Sequence, residues 1–429
     1  MFRILLILLF SVLVVSNSMS LSGEDNKIAY DMPELVDLAL KRSELLSASE
    51  KSVESAKWAK GQSMPWQNPI ISFNAGNKSA SGQNGFAYDI GLTQPFYFPG
   101  KQKLAGDIAG FQEKIAGLDR DSSRLFVRYS VIKLAYQYAV ALELTKHLEE
   151  RVIRFRSIKK YLTSRPITSP KKKMEKHIVE MKLILLTKNL DEIRFSKDVI
   201  WSKLNLFLNF QKSVTIKTPW FEQGKLLELN ELLANADKGN IDLKKHSLVL
   251  ERTKMETHLA RKFALPDFGL SLLYREDQVP DIQRFIGAGI TFSVPMWNTN
   301  KAGVKSLEAD IEAKKAIAAY VKRETAQALV SSYFEYEIAR KNLERLPVSM
   351  FDEVHYRLAE ADRFFDTGLI DFVMYGEVEN QSYDMHLAVL AAQYEYVEKY
   401  AALLVLQGSE DFTFPVMVQK KSTGVNNVP

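Results

Sequence analysis

The chain repeats itself about 200 residues on, and that repetition constrains the fold more than any single motif. At an offset of 197 residues Leu35 matches Leu232, Ala39 matches Ala236, Lys41 matches Lys238 and Pro69 matches Pro266. At an offset of 200, Pro95 matches Pro295, Lys101 matches Lys301, Tyr136 matches Tyr336 and Ala139 matches Ala339. Each copy reads as a helix, a β-hairpin and a long helix. The register changes between the hairpin strands, where the second copy holds a different loop.

The first 20 residues have a short basic head at Arg3, an apolar run from Ile4 to Val15 and small residues before a cut after Ser20. This is the pattern of a secretory signal and is too short and wrongly flanked for a spanning helix. The mature protein is therefore expected outside the cytoplasm. Beyond it, no stretch reaches the roughly 18 to 20 consecutive apolar residues of a transmembrane helix. An integral membrane protein of this kind has to use β-strands.

The 57 Lys plus Arg against 52 Asp plus Glu give only a mildly basic balance, so no nucleic-acid partner is expected. The chain has no cysteine, which excludes disulfides, thiolate metal sites, a thiol nucleophile and an N-terminal lipid anchor. Six histidines, at 147, 177, 246, 258, 355 and 386, lack paired i, i+4 spacing and read as surface or seam residues, not metal ligands. No cofactor is expected: Phe98-Pro99-Gly100-Lys101 lacks the upstream glycine and the Ser or Thr of a phosphate-binding loop.

Four segments alternate with period two. Phe86, Tyr88, Ile90 and Leu92 alternate with Ala87, Asp89, Gly91 and Thr93, so one face suits lipid and the other water. Ile286, Ala288, Ile290, Phe292 and Val294 repeat the pattern in the second copy, and Phe268, Leu270, Leu272 and Tyr274 face away from Asp267, Gly269 and Ser271. Ile71, Phe73 and Ala75 form a weaker first strand. At about 9 or 10 residues each has the length of a tilted membrane-crossing strand. A soluble sheet with one wet face shows the same alternation. Trp66, Phe96, Tyr97, Phe98 and Trp297 at the strand ends favour the membrane reading, because they sit where an interfacial aromatic belt lies. The polar loops Asn77 to Gly85 and Arg275 to Gln283 are expected at the far tips.

Four strands cannot close a barrel, and open edges are not tolerated in lipid. Three chains contributing four strands each make a twelve-stranded barrel, an even number within the known range. From about Lys101 to Tyr161 and from about Lys301 to Phe365 the pattern is helical, on the order of 90 to 100 Å per segment at 1.5 Å per residue. Ile108, Phe111, Ile115, Leu118, Ser122, Leu125, Tyr129, Ile132, Tyr136 and Ala139 keep 3,4 spacing, as do Tyr375, Val378, Ser382, Met385, Val389, Ala392, Tyr396, Lys399, Leu403 and Leu406; both read as coiled-coil seams. Pro347 is expected to kink its segment or mark a joint.

The resulting division is a signal at 1–20, a first repeat at 21–212 with its β-hairpin at 69–95 and helical hairpin at 101–212, a linker at 213–228, a second repeat at 229–408 with its β-hairpin at 266–295 and helical hairpin at 301–408, and a tail at 409–429. Ser213-Val214-Thr215-Ile216 and Pro219-Trp220 suggest a short extended piece in the linker. The helical hairpins turn at Thr163 to Pro170 and at Asp366 to Asp371, where Gly368 suits a left-handed cap. The fold class is thus mainly α with a small β part, a duplicated unit forming a trimeric β-barrel continued by a long α-helical barrel.

This duplicated order resembles the TolC-type outer-membrane efflux proteins over essentially the whole mature chain. The likeness rests on the Leu-x-x-x-Ala helices at Leu35 to Ala39 and Leu232 to Ala236, the strand starts at Pro69 and Pro266, and the strand exits Gln94-Pro95-Phe96 and Val294-Pro295-Met296, with the tip Thr367-Gly368-Leu369. The turn from Arg165-Pro166 to Ser169-Pro170 looks like the heavy-metal branch, the outer component of cation efflux systems.

The resemblance implies a passive homotrimeric conduit in the outer membrane of a Gram-negative bacterium, in contact with outer-membrane lipid and hydrolysing nothing. A periplasmic adaptor and an inner-membrane pump, RND-type in preference to ABC, would supply substrate and energy. The adaptor would dock on Arg165, Pro166, Thr367, Gly368 and Leu369. Phe86, Tyr88, Ile90, Leu92, Phe268, Leu270, Leu272, Ile290 and Phe292 would face lipid. Family members narrow the periplasmic mouth with acidic side chains, and Glu377 and Asp371 fall in that place, without the family's paired Asp-x-x-Asp. They read either as a gate or as a solvated face. Drug efflux and type I protein secretion are alternative cargo classes, and a soluble periplasmic coiled-coil adaptor is the alternative of another kind.

Overall fold

In the computed structural model the chain runs β1 (Ala29–Asp31), α1 (Met32–Arg42), α2 (Glu44–Gly61), β2 (Ile70–Ala80), β3 (Gln83–Phe96), α3 (Lys101–Thr163), α4 (Pro170–Leu208), β4 (Thr215–Lys217), α5 (Leu229–Gly239), α6 (Ile241–Lys262), β5 (Phe268–Asp277), β6 (Gln283–Phe292), α7 (Lys301–Arg345), α8 (Met350–Asp366) and α9 (Phe372–Gln407). The described residues are 29–80, 82–164, 169–211, 214–217, 220–279, 281–297, 299–410 and 412. The signal at 1–20, Arg165 and Pro166, Ser213, Pro219 and the tail from 413 lie outside them.

The duplication is visible in the backbone. Ser43 and Asn240, 197 residues apart, each break a leading helix in two and cap the second piece, Ser43 Oγ accepting from Leu46 N at 3.3 Å and Asn240 Oδ1 from Leu243 N at 3.0 Å. Gly100 and Asn300, 200 residues apart, take left-handed conformations (φ 88° and 54°) just before the long helices. Both types tolerate that region, which re-aims the chain from strand to helix.

The two long helical arms differ. The first is one helix of 63 residues, about 95 Å at 1.5 Å per residue. The second ends at Arg345 and restarts at Met350, because Pro347 has no N–H to donate and its ring clashes with the preceding turn. The joint expected at Pro347 is therefore a full break, and the segment from Lys301 to Phe365 is two helices. The strands, in turn, run further than their alternation suggested: β2 and β3 pair in register from Ile70↔Thr93 to Ala80↔Gln83, so most of Asn77 to Gly85 is ladder and not loop.

The four long strands form one antiparallel sheet in the order β2-β3-β5-β6, which does not close on itself. Among the described residues its edge strands β2 and β6 have no further partner. Far down the helices, β1 pairs in parallel with β4. Beside that pair the linker lies flat on the bundle: Gln393 accepts from Phe221 N at 2.9 Å and donates to Phe221 O at 2.7 Å, and Tyr396 Oη accepts from Lys225 N at 3.0 Å. One apolar core surrounds this belt, with Tyr136, Tyr336, Tyr396 and Tyr400 fully buried; a second runs from Leu144 and Leu148 towards the turns. No described helix is long and apolar enough to cross a membrane.

Candidate functional site

The sheet gathers its bulky residues on one face. The pairings Phe73↔Ile90↔Tyr274↔Ile286 and Ile71↔Leu92↔Leu272↔Ala288 place these side chains on a common side, followed by Gln94↔Leu270↔Ile290 and Phe96↔Phe268↔Phe292. Phe86, Ile90, Leu92, Leu270, Leu272, Ile290 and Phe292 are exposed; Tyr88 and Phe268 are half-buried. Leu272 keeps 60% and Ile286 80% of its surface open, which is costly in water for a whole row of apolar side chains. The other face carries Ser72, Asn74, Asp89, Thr93, Ser271, Arg275 and Thr291, with Ile70, Leu273 and Phe285 among them, and Asn74 Nδ2 donates to Asp89 Oδ2 at 2.8 Å.

From the Phe96↔Phe268 row to the Tyr88↔Glu276 row is eight residues, about 27 Å along a strand at ~3.4 Å per residue. The band ends in polar chemistry, where Glu276 accepts from Tyr274 at 2.8 Å and from Arg284 at 3.0 Å. At its other end Phe96 stacks on Phe268 (centroids 5.3 Å) and meets Trp66 edge-on at 5.6 Å, while Trp297 is almost wholly exposed.

At the opposite end of the molecule, Asp371 is the N-cap of α9. Its Oδ1 accepts from Met374 N at 3.0 Å and its Oδ2 from Lys171 Nζ at 3.2 Å, which ties the start of α9 to the start of α4. That backbone N–H, then the Lys171 ammonium, hold the carboxyl below the usual carboxylate range. Glu377 is exposed and accepts from Gln381 Nε2 at 2.9 Å. Within one chain the two acids do not converge. In the α8–α9 turn Thr367 Oγ1 donates to Arg363 O at 2.9 Å, Gly368 takes φ 77°, and Leu369 is 73% exposed, standing out from the turn.

The α9 seam departs from the expected one. Tyr375, Ser382, Val389, Ala392, Tyr396 and Leu403 are buried as expected, but Glu379, His386, Gln393 and Tyr400 are also inside, whereas Val378, Met385, Lys399 and Leu406 are not. Glu379 grips Arg151 of α3 through both carboxylate oxygens, one contact 2.7 Å, with both side chains fully buried and the guanidinium 3.9 Å from the Tyr383 ring centre. Strict alternation of 4 and 3 from Tyr375 reaches Glu379, His386 and Gln393; hydrophobicity steered the reading to their apolar neighbours. On α3, Ser122 is exposed and Ile108, Phe111 and Leu118 only half-buried, so that apart from Ile115 the seam is buried only from Leu125 onward.

The seam also brings together three histidines that spacing had scattered. His147 of α3 stacks on His386 of α9 (centroids 4.2 Å, planes 8° apart), and His355 of α8 lies 6.4 Å from His147 and 6.1 Å from His386. Burial first, then His386 and Arg151, holds the His147 imidazole down to about 3, so it is neutral at physiological pH.

No protein-family profile matches the sequence, and no curated protein matches it. Solved structures do. CusC, in structures addressing its folding and transmembrane channel formation, superposes with a TM-score of 0.72 at 11% identity, over 89% of this chain and 93% of that one. The chain has the fold of outer-membrane channels. The open-state outer-membrane channel MtrE of Neisseria gonorrhoeae gives 0.70 at 15% identity over 88% of this chain and 89% of its own. A membrane protein from Pseudomonas aeruginosa gives 0.72 at 13% over 89% and 91%. The expected likeness is borne out at the level of the fold, and the CusC and MtrE structures are described as channels.

Proposed function

We propose that this chain is the outer-membrane duct of a tripartite efflux system, a passive exit conduit for substrate delivered by an inner-membrane pump of the RND type through a periplasmic adaptor. The observation that carries the reading is the sheet: a continuous exposed apolar face, a more polar opposite face and two open edges. In lipid such edges must be paired, and three copies supply twelve strands in which β6 of one chain meets β2 of the next. Phe86, Tyr88, Ile90, Leu92, Phe268, Leu270, Leu272, Ile290 and Phe292 then face lipid, and Asn74 and Asp89 the water-filled lumen. A soluble coiled-coil adaptor would leave the same apolar rows in water.

The helices continue the barrel as a tube into the periplasm, with the turn at Thr367, Gly368 and Leu369 and the turn containing Arg165 and Pro166 as the adaptor's docking points. Threefold symmetry would bring the Asp371 and Glu377 carboxylates of three chains around one mouth, an acidic ring favouring cations. Metal cations are the cargo favoured by the resemblance of the Arg165-Pro166 to Ser169-Pro170 sequence to the heavy-metal branch. The test is conductance of the purified protein in planar bilayers. Glu377→Gln and Asp371→Asn should lower cation selectivity or raise the resting conductance. A protein that forms no pores overturns the duct, and pores unchanged in both variants return these acids to a solvated face.

A further inference from the structure

His147 and Glu150 are three residues apart on α3 and therefore share a helix face, and α8 packs His355 against that face. Their nearest ligand atoms, a ring nitrogen from each histidine and a carboxylate oxygen, all lie within 4.8 Å of one another. His147 is buried, whereas Glu150 and His355 are exposed, so the group has a fixed inner member and two outer members able to close on an ion. We propose that His147, Glu150 and His355 form a binding site for a divalent transition-metal cation that clamps α8 to α3, one site per chain.

Local geometry prepares both imidazoles as ligands. His355 Nδ1 lies 2.6 Å from Phe351 O; a carbonyl can only accept, so Nδ1 carries the proton and Nε2 presents its lone pair. A metal-bound histidine is oriented in the same way when its second nitrogen donates to a backbone carbonyl. His147 is held by its faces, with His386 parallel at 4.2 Å and Tyr383 parallel at 5.8 Å, which leaves the ring edge and its nitrogens for an ion. The nearby cations are partly answered: Arg151 is paired with Glu379, and Arg154 lies 4.0 Å from Asp362.

Two imidazoles and one carboxylate suit zinc and its neighbours, not magnesium or calcium, which take oxygen ligands. Donors around a tetrahedral zinc stand about 3.4 Å apart at bond lengths near 2.1 Å, so side-chain movements of about 1 to 1.5 Å complete the set. The location gives the site a consequence. α8 restarts after the Pro347 break, joined to α7 through residues 346–349 and packed against α9, so an ion on His355 adds a tie from the middle of that helix to α3 of the first repeat. The site does not depend on the conduit reading, since its residues lie within one chain.

The experiment uses the full detergent-solubilised protein without a polyhistidine tag, stripped with chelator and titrated with zinc against a chromogenic competitor. One zinc per chain is expected, with affinity falling at least tenfold in His355→Ala and in Glu150→Gln and unchanged in His177→Ala, an exposed histidine on α4. Because Glu150 and His355 are exposed, circular dichroism should match the wild type in both variants. X-ray absorption of the zinc-loaded protein should show two imidazoles and a carboxylate. Less than half an equivalent of zinc per chain, or binding unmoved by both substitutions, overturns the proposal.

Discussion

Lys101, the first residue of α3, places its ammonium 2.9 Å from Asp267 Oδ1, at the start of β5, and so ties the two repeats together at the base of the sheet. Its side chain is fully buried, donates also to Leu265 O at 3.0 Å, and lies 5.2 Å from the Phe263 ring centre; Asp267 in turn accepts from Phe98 N at 2.6 Å. The partners are unequal, because Asp267 keeps contact with water. Asp267→Ala strands a buried ammonium and should cost about 3 to 5 kcal/mol. Lys101→Met, which keeps the stem and drops the charge, should cost less. Denaturant unfolding of the two variants side by side checks the order.

Arg151 and Glu379 should behave as a unit. Either Arg151→Met or Glu379→Leu leaves one fully buried charge alone and should destabilise by about 3 to 5 kcal/mol, whereas the double variant should recover most of the loss. A double-mutant cycle on the unfolding midpoint measures this. Additive effects in the double variant would show that the two side chains do not act through each other.

Asp371 links the turns to pH. Its carboxyl is held below its ordinary value of 3.8, so its contribution is complete above that value and is lost as pH falls through the depressed one. Between pH 7 and 5 the protection of the start of α9 should be unchanged, and as pH falls well below 3.8 the Met374 amide should lose protection relative to its intrinsic exchange rate. Asp371→Asn keeps the cap but loses the Lys171 pair, and should be protected like the wild type at pH 7; Asp371→Ala should be less protected at pH 7, with the difference shrinking as the wild-type carboxyl is protonated. Hydrogen exchange at Met374 separates the cases.

Leu272 and Ser271 are neighbours on opposite faces of β5. With the apolar face against lipid, Leu272→Arg should cost about 2 to 4 kcal/mol of membrane-embedded stability and Ser271→Arg close to none. Refolding into lipid vesicles, read by circular dichroism against denaturant, gives both values. Equal costs would mean that the sheet does not present its apolar rows to lipid.

The sequence made the architecture legible wherever periodicity met repetition. The matched pairs Pro69/Pro266 and Lys101/Lys301 located strands and long helices, because a duplicated unit must keep its packing positions. Pro347 marked its joint in the sequence, because one missing N–H outweighs helical patterning on both sides, whereas periodicity gave no sign of the breaks at Ser43 and Asn240, whose side chains cap the second of two consecutive helices. The seam was misread at Glu379 and His386, since a side chain with a buried partner across the bundle can occupy a core position that hydrophobicity assigns to its neighbour. The nearness of His147, His355 and His386 has no local signal, being set by how three helices pack. The sheet's faces were readable from alternation alone, but its length was not: the Asn77 to Gly85 stretch has loop-like composition and still pairs as strand.

The central claim is that one chain's open sheet is a third of a closed barrel, and the mass of the intact complex tests it most directly. Native mass spectrometry of the detergent-solubilised full chain should give a single assembly of three copies, in which no strand edge remains open. A stable monomer that retains its strand content by circular dichroism would contradict it.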